Sequence, residues 1–79
     1  MASPLSPATE EFGSRIQIRR KELGWSQEKL AEVTGLHWTY IGQVERGERN
    51  ISLRNILKLL HSLQIHECEA GVLAQLEPW

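Results

Sequence analysis

The sequence predicts an all-α fold, a compact bundle of five short helices. Apolar residues recur at helical spacing along most of the chain, and no stretch alternates apolar and polar residues as a half-buried strand would. Helical punctuation bounds these stretches, with Ser before several of them and Gly after. The chain has 79 residues, of which 41% are hydrophobic, which suits one small globular domain and leaves little room for a catalytic cavity beside a core.

Each helix has its own justification. Residues 1–8 are expected to form a flexible N-terminal arm, although Ser6 followed by Pro7 is also a sound helix start, since Pro is tolerated at the first helical position. The first helix then runs to about Leu23 and carries Phe12, Ile16, Arg20 and Leu23 on one face, with Gly24 ending it. Ser26 caps the second helix, which runs to about Thr34 and closes at Gly35. The third covers about Trp38 to Arg46 and stops at Gly47. Ser52 caps the fourth, where Leu53, Ile56, Leu57, Leu60 and Leu63 repeat as the expected inward stripe. A fifth helix, about Glu67 to Gln75, offers Val72 and Leu73, with Leu76 just beyond. Residues 9–79 therefore read as one domain with a dimerisation helix at its C-terminal end.

Composition excludes several functional classes. No apolar run approaches the roughly 18 residues that a membrane span needs. The start MASPLSPATEEFG lacks the basic and apolar segments of a secretory signal. Cys68 is the only cysteine, so an internal disulfide is impossible and a cytoplasmic setting is expected. His37, His61, His66 and Cys68 lack metal-ligand spacing, so no metal or cofactor is expected. No nucleophile–base arrangement or phosphate-cradling glycine loop appears, which argues against an enzyme and against a small-molecule ligand.

The net charge of −1 speaks at first against nucleic acid, but its distribution speaks for it. All nine Lys and Arg lie between Arg15 and Lys58, against five Glu there, a segment charge of +4. Residues 59–79 hold three Glu and no Lys or Arg. Such one-sidedness is a usual footprint of DNA binding, although a charge run can also be a plain solvated face.

Residues 26–46, SQEKLAEVTGLHWTYIGQVER, join two short helical patterns through a glycine turn. Ala31 is small where the third helix must pass close by, and Gly35 suits a left-handed turn. With Leu36, Ile41 and Val44 anchoring the third helix, Trp38, Thr39, Gly42, Gln43 and Arg46 are expected to face outward. Gln and Arg offer donors to base edges or phosphates, and the Thr methyl can meet a thymine methyl. This is a helix-turn-helix pattern, whose second helix is suited to a DNA major groove.

The chain resembles the helix-turn-helix family of phage repressors and Cro over residues 12–65, with Gln27, Ala31, Gly35, Ile41 and Glu45 at family motif positions. The stretch TYIGQVERGERNISL is also similar to controller proteins of restriction–modification systems. The resemblance implies that Trp38, Thr39 and Gln43 read bases. It implies that Gln27, Arg46, Arg49 and Asn50 meet the DNA backbone, and that Arg20 pairs with Glu45. Tyr40 is expected to be half-packed with its hydroxyl toward a phosphate. Departures from the family pattern are His37 at the cap of the third helix, Gly42 where Ser is common, Trp38 where controllers often carry Arg, Leu60 for Ala, and Gln64 for Gly.

These features lead to the expectation of a homodimeric transcription regulator that binds a double-stranded operator, with a restriction–modification controller leading. A phage-type repressor, an antitoxin, or a helix-turn-helix scaffold used for protein interaction stand as alternatives. Two copies would reach half-sites roughly 34 Å apart. Leu59, Val72, Leu73 and Leu76, surplus to the expected core, are the candidates for the dimer seam.

Overall fold

The structure, a computed structural model, describes residues 4–64. Four helices occupy them: α1 (Pro7–Glu22), α2 (Gln27–Thr34), α3 (Trp38–Glu45) and α4 (Leu53–Ser62). The fifth helix of the sequence reading lies outside the described residues, as do Val72, Leu73 and Leu76.

Local chemistry explains most boundaries. Ser6 caps α1 by accepting from the Thr9 N–H, and Thr9 Oγ1 accepts from the Ser6 N–H in return, with Pro7 at the first helical position. The expected arm of residues 1–8 is therefore too long, because Pro7 and Ala8 are helical. Leu5 is also tied down, its N–H donating to the Gly47 carbonyl at 2.8 Å. Ser26 and Ser52 cap α2 and α4 in the same way. Gly35 ends α2 at φ +74°, where a side chain would be strained.

The core gathers Phe12, Ile16, Leu30, Ala31, Ile41, Val44, Ile56, Leu59, Leu60 and Leu63, with Leu23, Trp25, Leu36, Tyr40 and Ile51 packed around it. The helix α3 packs against both α1 and α2, and α4 closes against α2. Gly13 sets the closest approach: a Cβ there would lie 2.2 Å from the Val44 carbonyl oxygen. An otherwise costly glycine in mid-helix thus lets the backbones of α1 and α3 meet.

The inward face of α4 differs from expectation. Ile56, Leu59, Leu60 and Leu63 point inward, while Leu53 and Leu57 are exposed. Both stripes have helical spacing and share Ile56, Leu60 and Leu63, so periodicity alone cannot choose between them. Packing against the rest of the bundle chooses, and Arg19 Nε holds the C-terminal end by donating to the Leu63 carbonyl at 2.9 Å. Leu59 is consequently core, fully shielded within one protomer, and the structure removes it from the candidate dimer seam.

Candidate nucleic-acid interface

The third helix is held from behind and open in front. Ile41, Val44 and Glu45 face inward and are buried. Trp38 and Thr39 are exposed, and Gln43, one turn after Thr39, is half-buried. His37 caps the helix, its Nδ1 accepting from the Thr39 N–H at 3.1 Å, and its ring stacks on Trp38 with centroids 5.9 Å apart. An imidazole thus does the capping work of the Ser or Thr expected there.

Arg20 and Glu45 fasten the back of this helix. Arg20 Nε meets Glu45 Oε2 at 2.6 Å and Nη2 meets Oε1 at 3.1 Å, a forked pair with side chains 9% and 1% exposed. Arg20 Nη1 also donates to the Trp25 carbonyl, and Gln27 Nε2 donates to Glu45 Oε1 at 3.0 Å. Every donor and acceptor this cluster buries has a partner, so neither charge is stranded. Gln27, expected at the DNA backbone, therefore commits its amide to Glu45 in the unbound protein.

Gly42 was expected to face outward, but it is buried. The Arg46 guanidinium and the Gln27 amide lie over it; a Cβ would stand 3.2 Å from Arg46 Nη1. The bare glycine is covered because two long neighbouring side chains fold across it.

Arg46 is exposed at the end of α3 and forks onto Glu48, with Nε to Oε2 at 2.8 Å and Nη2 to Oε1 at 3.3 Å. The hydrogen bond to Glu48 is the main reason that the Arg46 guanidinium is held above its ordinary range, with the charges of Glu48 and Glu45 adding to it. Arg49 places its guanidinium 5.2 Å from the Tyr40 ring centre and donates to Gln43 Oε1 at 3.4 Å. The half-buried Tyr40 accepts on its hydroxyl from Asn55 Nδ2 at 3.1 Å. Asn50 is exposed in the loop before α4. The structure thus clusters Gln27, Gln43, Arg46, Arg49 and Tyr40 along α3 and its C-terminal loop.

Gly13, Arg19, Trp25, Glu48 and Asn55 escaped sequence reading. Gly13 carried a signal, a glycine inside a helical pattern with no turn to make. Glu48, an acidic residue between two arginines, carried a weaker one. Arg19, Trp25 and Asn55 act through contacts that no spacing reveals. Among the described residues no cluster of His, Cys, Asp or Glu could hold a metal ion, and no helix is long and apolar enough to cross a membrane.

A helix clamped by its inner face, with polar and aromatic side chains free on its outer face, defines a domain of the helix-turn-helix class. The chain belongs to the helix-turn-helix family, whose model matches residues 16–69. Its relatives in that family include control proteins, a hypothetical transcription factor of Neisseria meningitidis and uncharacterised helix-turn-helix transcriptional regulators. It is 49% identical over 55 residues to the control protein C.BamHI of Bacillus amyloliquefaciens, covering 68% of each chain. The crystal structure of the controller protein C.AhdI from Aeromonas hydrophila is similar at TM-score 0.74 and 48% identity, over 78% of this chain and 94% of that one. The tetramer of the controller protein C.Esp1396I, in complex with its natural 35 base-pair operator, is similar at TM-score 0.75 and 27% identity, over 90% and 91% of the two chains.

Proposed function

We propose that the chain is a sequence-specific, DNA-binding transcription regulator that acts as a homodimer and controls a restriction–modification system. The observation that carries this reading is the division of α3. Ile41, Val44 and Glu45 are locked into the domain, and Trp38 and Thr39 are exposed with Gln43 beside them. An operator complex of a similar controller supports the same use of the fold.

In this reading α3 enters the major groove. Trp38, Thr39 and Gln43 meet base edges, because amide and hydroxyl groups there can match the donor and acceptor pattern of a base pair. Gln27, Tyr40, Arg46, Arg49 and Asn50 border the phosphates and set the register of the helix on the duplex. One α3 of eight residues reads few bases, so a second copy is needed for a useful site. Val72, Leu73 and Leu76 remain the proposed seam between copies, without Leu59. The protein works in the cytoplasm and acts by binding rather than catalysis.

Selection of bound duplexes from a random pool tests the proposal. The expected result is a two-fold symmetric sequence with half-sites one helical turn apart. Recovery of no common sequence, together with no retention of duplex at low salt, would leave the chain a scaffold for protein contacts.

A further inference from the structure

We infer that Glu48 limits the DNA affinity of this protein, as a built-in carboxylate that occupies the Arg46 fork and must give it up before Arg46 can grip a phosphate. The inference rests on the DNA-binding reading above and adds to it a residue that weakens binding.

Arg46 presents a planar fork, and a carboxylate and a phosphate compete for the same two prongs. In the unbound protein Glu48 holds them, Nε to Oε2 at 2.8 Å and Nη2 to Oε1 at 3.3 Å. The pair is closed and locally neutral, so Arg46 releases no counterion from DNA while Glu48 keeps it.

Glu48 is also unable to withdraw far. Its N–H donates to the Gln43 carbonyl at 2.9 Å, and its side chain is only 14% exposed, against 56% for Arg46. Gly47, just before it, sits at φ +73° with its Cα against the backbone of Glu10, where a Cβ would lie 2.8 Å from Glu10 Cα. The turn is therefore pinned on both sides, and the mobile partner is Arg46. Arg46 has an open side toward solvent, and moving there leaves the Glu48 carboxylate behind, near the phosphate that Arg46 would reach.

A positioning role for Glu48 makes the opposite prediction. If Glu48 aimed Arg46 at DNA, removing its charge would weaken binding. The full-length chain, Glu48→Gln, Arg46→Ala and the double variant should be titrated with the selected operator and with a random duplex of equal length, across a salt series. Glu48→Gln is expected to tighten both duplexes by roughly two- to fivefold per subunit, the range of one exposed ion pair. In the Arg46→Ala background the gain should vanish.

Unchanged or weaker binding by Glu48→Gln overturns the inference and leaves the DNA-binding reading intact. A gain that survives Arg46→Ala also overturns it, since Glu48 would then repel phosphates directly. Failure of the wild type to bind any duplex at low salt sinks the DNA-binding reading itself, and this inference with it. Glu48→Asp keeps the charge and shortens the reach, and should fall between wild type and Glu48→Gln. Should Glu48→Gln fail to fold, tightening by Glu48→Asp is the deciding result.

Discussion

Glu45 and Arg46 are neighbours at the end of α3, and each closes a forked ion pair, yet the two pairs face opposite directions. Glu45 turns inward to Arg20 at 2.6 Å; Arg46 turns outward to Glu48 at 2.8 Å. The distances are alike, so geometry does not separate them. Burial does. The Glu45 side chain is 1% exposed and also accepts from Gln27, whereas Arg46 is 56% exposed. A buried pair cannot exchange its partner for water, and losing one member strands the other. An exposed pair exchanges readily and contributes little to stability. The same turn of helix thus carries a fixed structural joint on one side and a replaceable contact on the other.

Breaking the inner joint has the largest expected effect. Glu45→Ala leaves Arg20 charged and buried, at a cost of about 3–5 kcal/mol. A domain of 79 residues has only about 4–12 kcal/mol of stability in total. Thermal and urea denaturation should show a large loss, while Arg46→Ala, which removes the exposed member of a pair whose Glu48 is only partly shielded, should cost much less. Equal melting temperatures for the two variants would erase the contrast between the pairs.

Gly13→Ala approaches the same joint through the backbone. The added Cβ would lie 2.2 Å from the Val44 carbonyl oxygen and 2.7 Å from that of Glu45. Both are backbone atoms, so α1 and α3 must separate and pull Arg20 away from Glu45. The expected loss is about 3 kcal/mol, the upper part of the overpacking range, reduced by the better helix propensity of Ala. A denaturation midpoint at or above that of the wild type would show that the two helices have slack.

These two sites differ in how far the sequence disclosed them. Arg20 and Glu45 stand at positions of a recognisable pattern, and the caps at Ser6, Ser26 and Ser52 were legible because capping is local chemistry. The turn at Gly35 was legible for the same reason. Gly13 gave only a hint, since its neighbour comes from a helix about thirty residues away. The rotation of α4 was not legible, because two overlapping stripes fit one period and only packing excludes Leu53 and Leu57. Gly42 was misplaced because the helical wheel shows where a residue points and not which long side chains cover it. The Arg46–Glu48 fork depends on the turn through Gly47 at φ +73°, which sequence alone could not orient.

On the outer face, the expected effects move from stability to recognition. Thr39→Ala or Gln43→Ala should cost about 1–3 kcal/mol of operator affinity per half-site contact while random-duplex affinity and melting temperature hold. Equal losses on operator and random DNA would assign these residues to the backbone rather than to bases. Gln43 has an added complication, since its Oε1 already accepts from Arg49 at 3.4 Å. A loss from Arg49→Ala that is not additive with Gln43→Ala would show that Arg49 orients the amide.

The smallest expected effect lies at the C-terminal end of α4, which contributes to neither ion pair. Gln64 is the one non-glycine residue at positive φ among the described residues, at +56°. It follows the C-cap Leu63, and its N–H donates to the His61 carbonyl at 3.1 Å, so the conformation closes the helix. A side chain in the left-handed region costs about 1–2 kcal/mol. Glycine removes that strain but adds about 0.5–1 kcal/mol of backbone entropy to the unfolded chain. Gln64→Gly should therefore stabilise the domain by roughly 0.5–1 kcal/mol, a rise of a few degrees in melting temperature. Because Arg19 still holds the Leu63 carbonyl, the bundle should keep its arrangement and operator affinity should not change. A fall in melting temperature would mean that the Gln64 side chain makes a contact worth more than the strain it imposes.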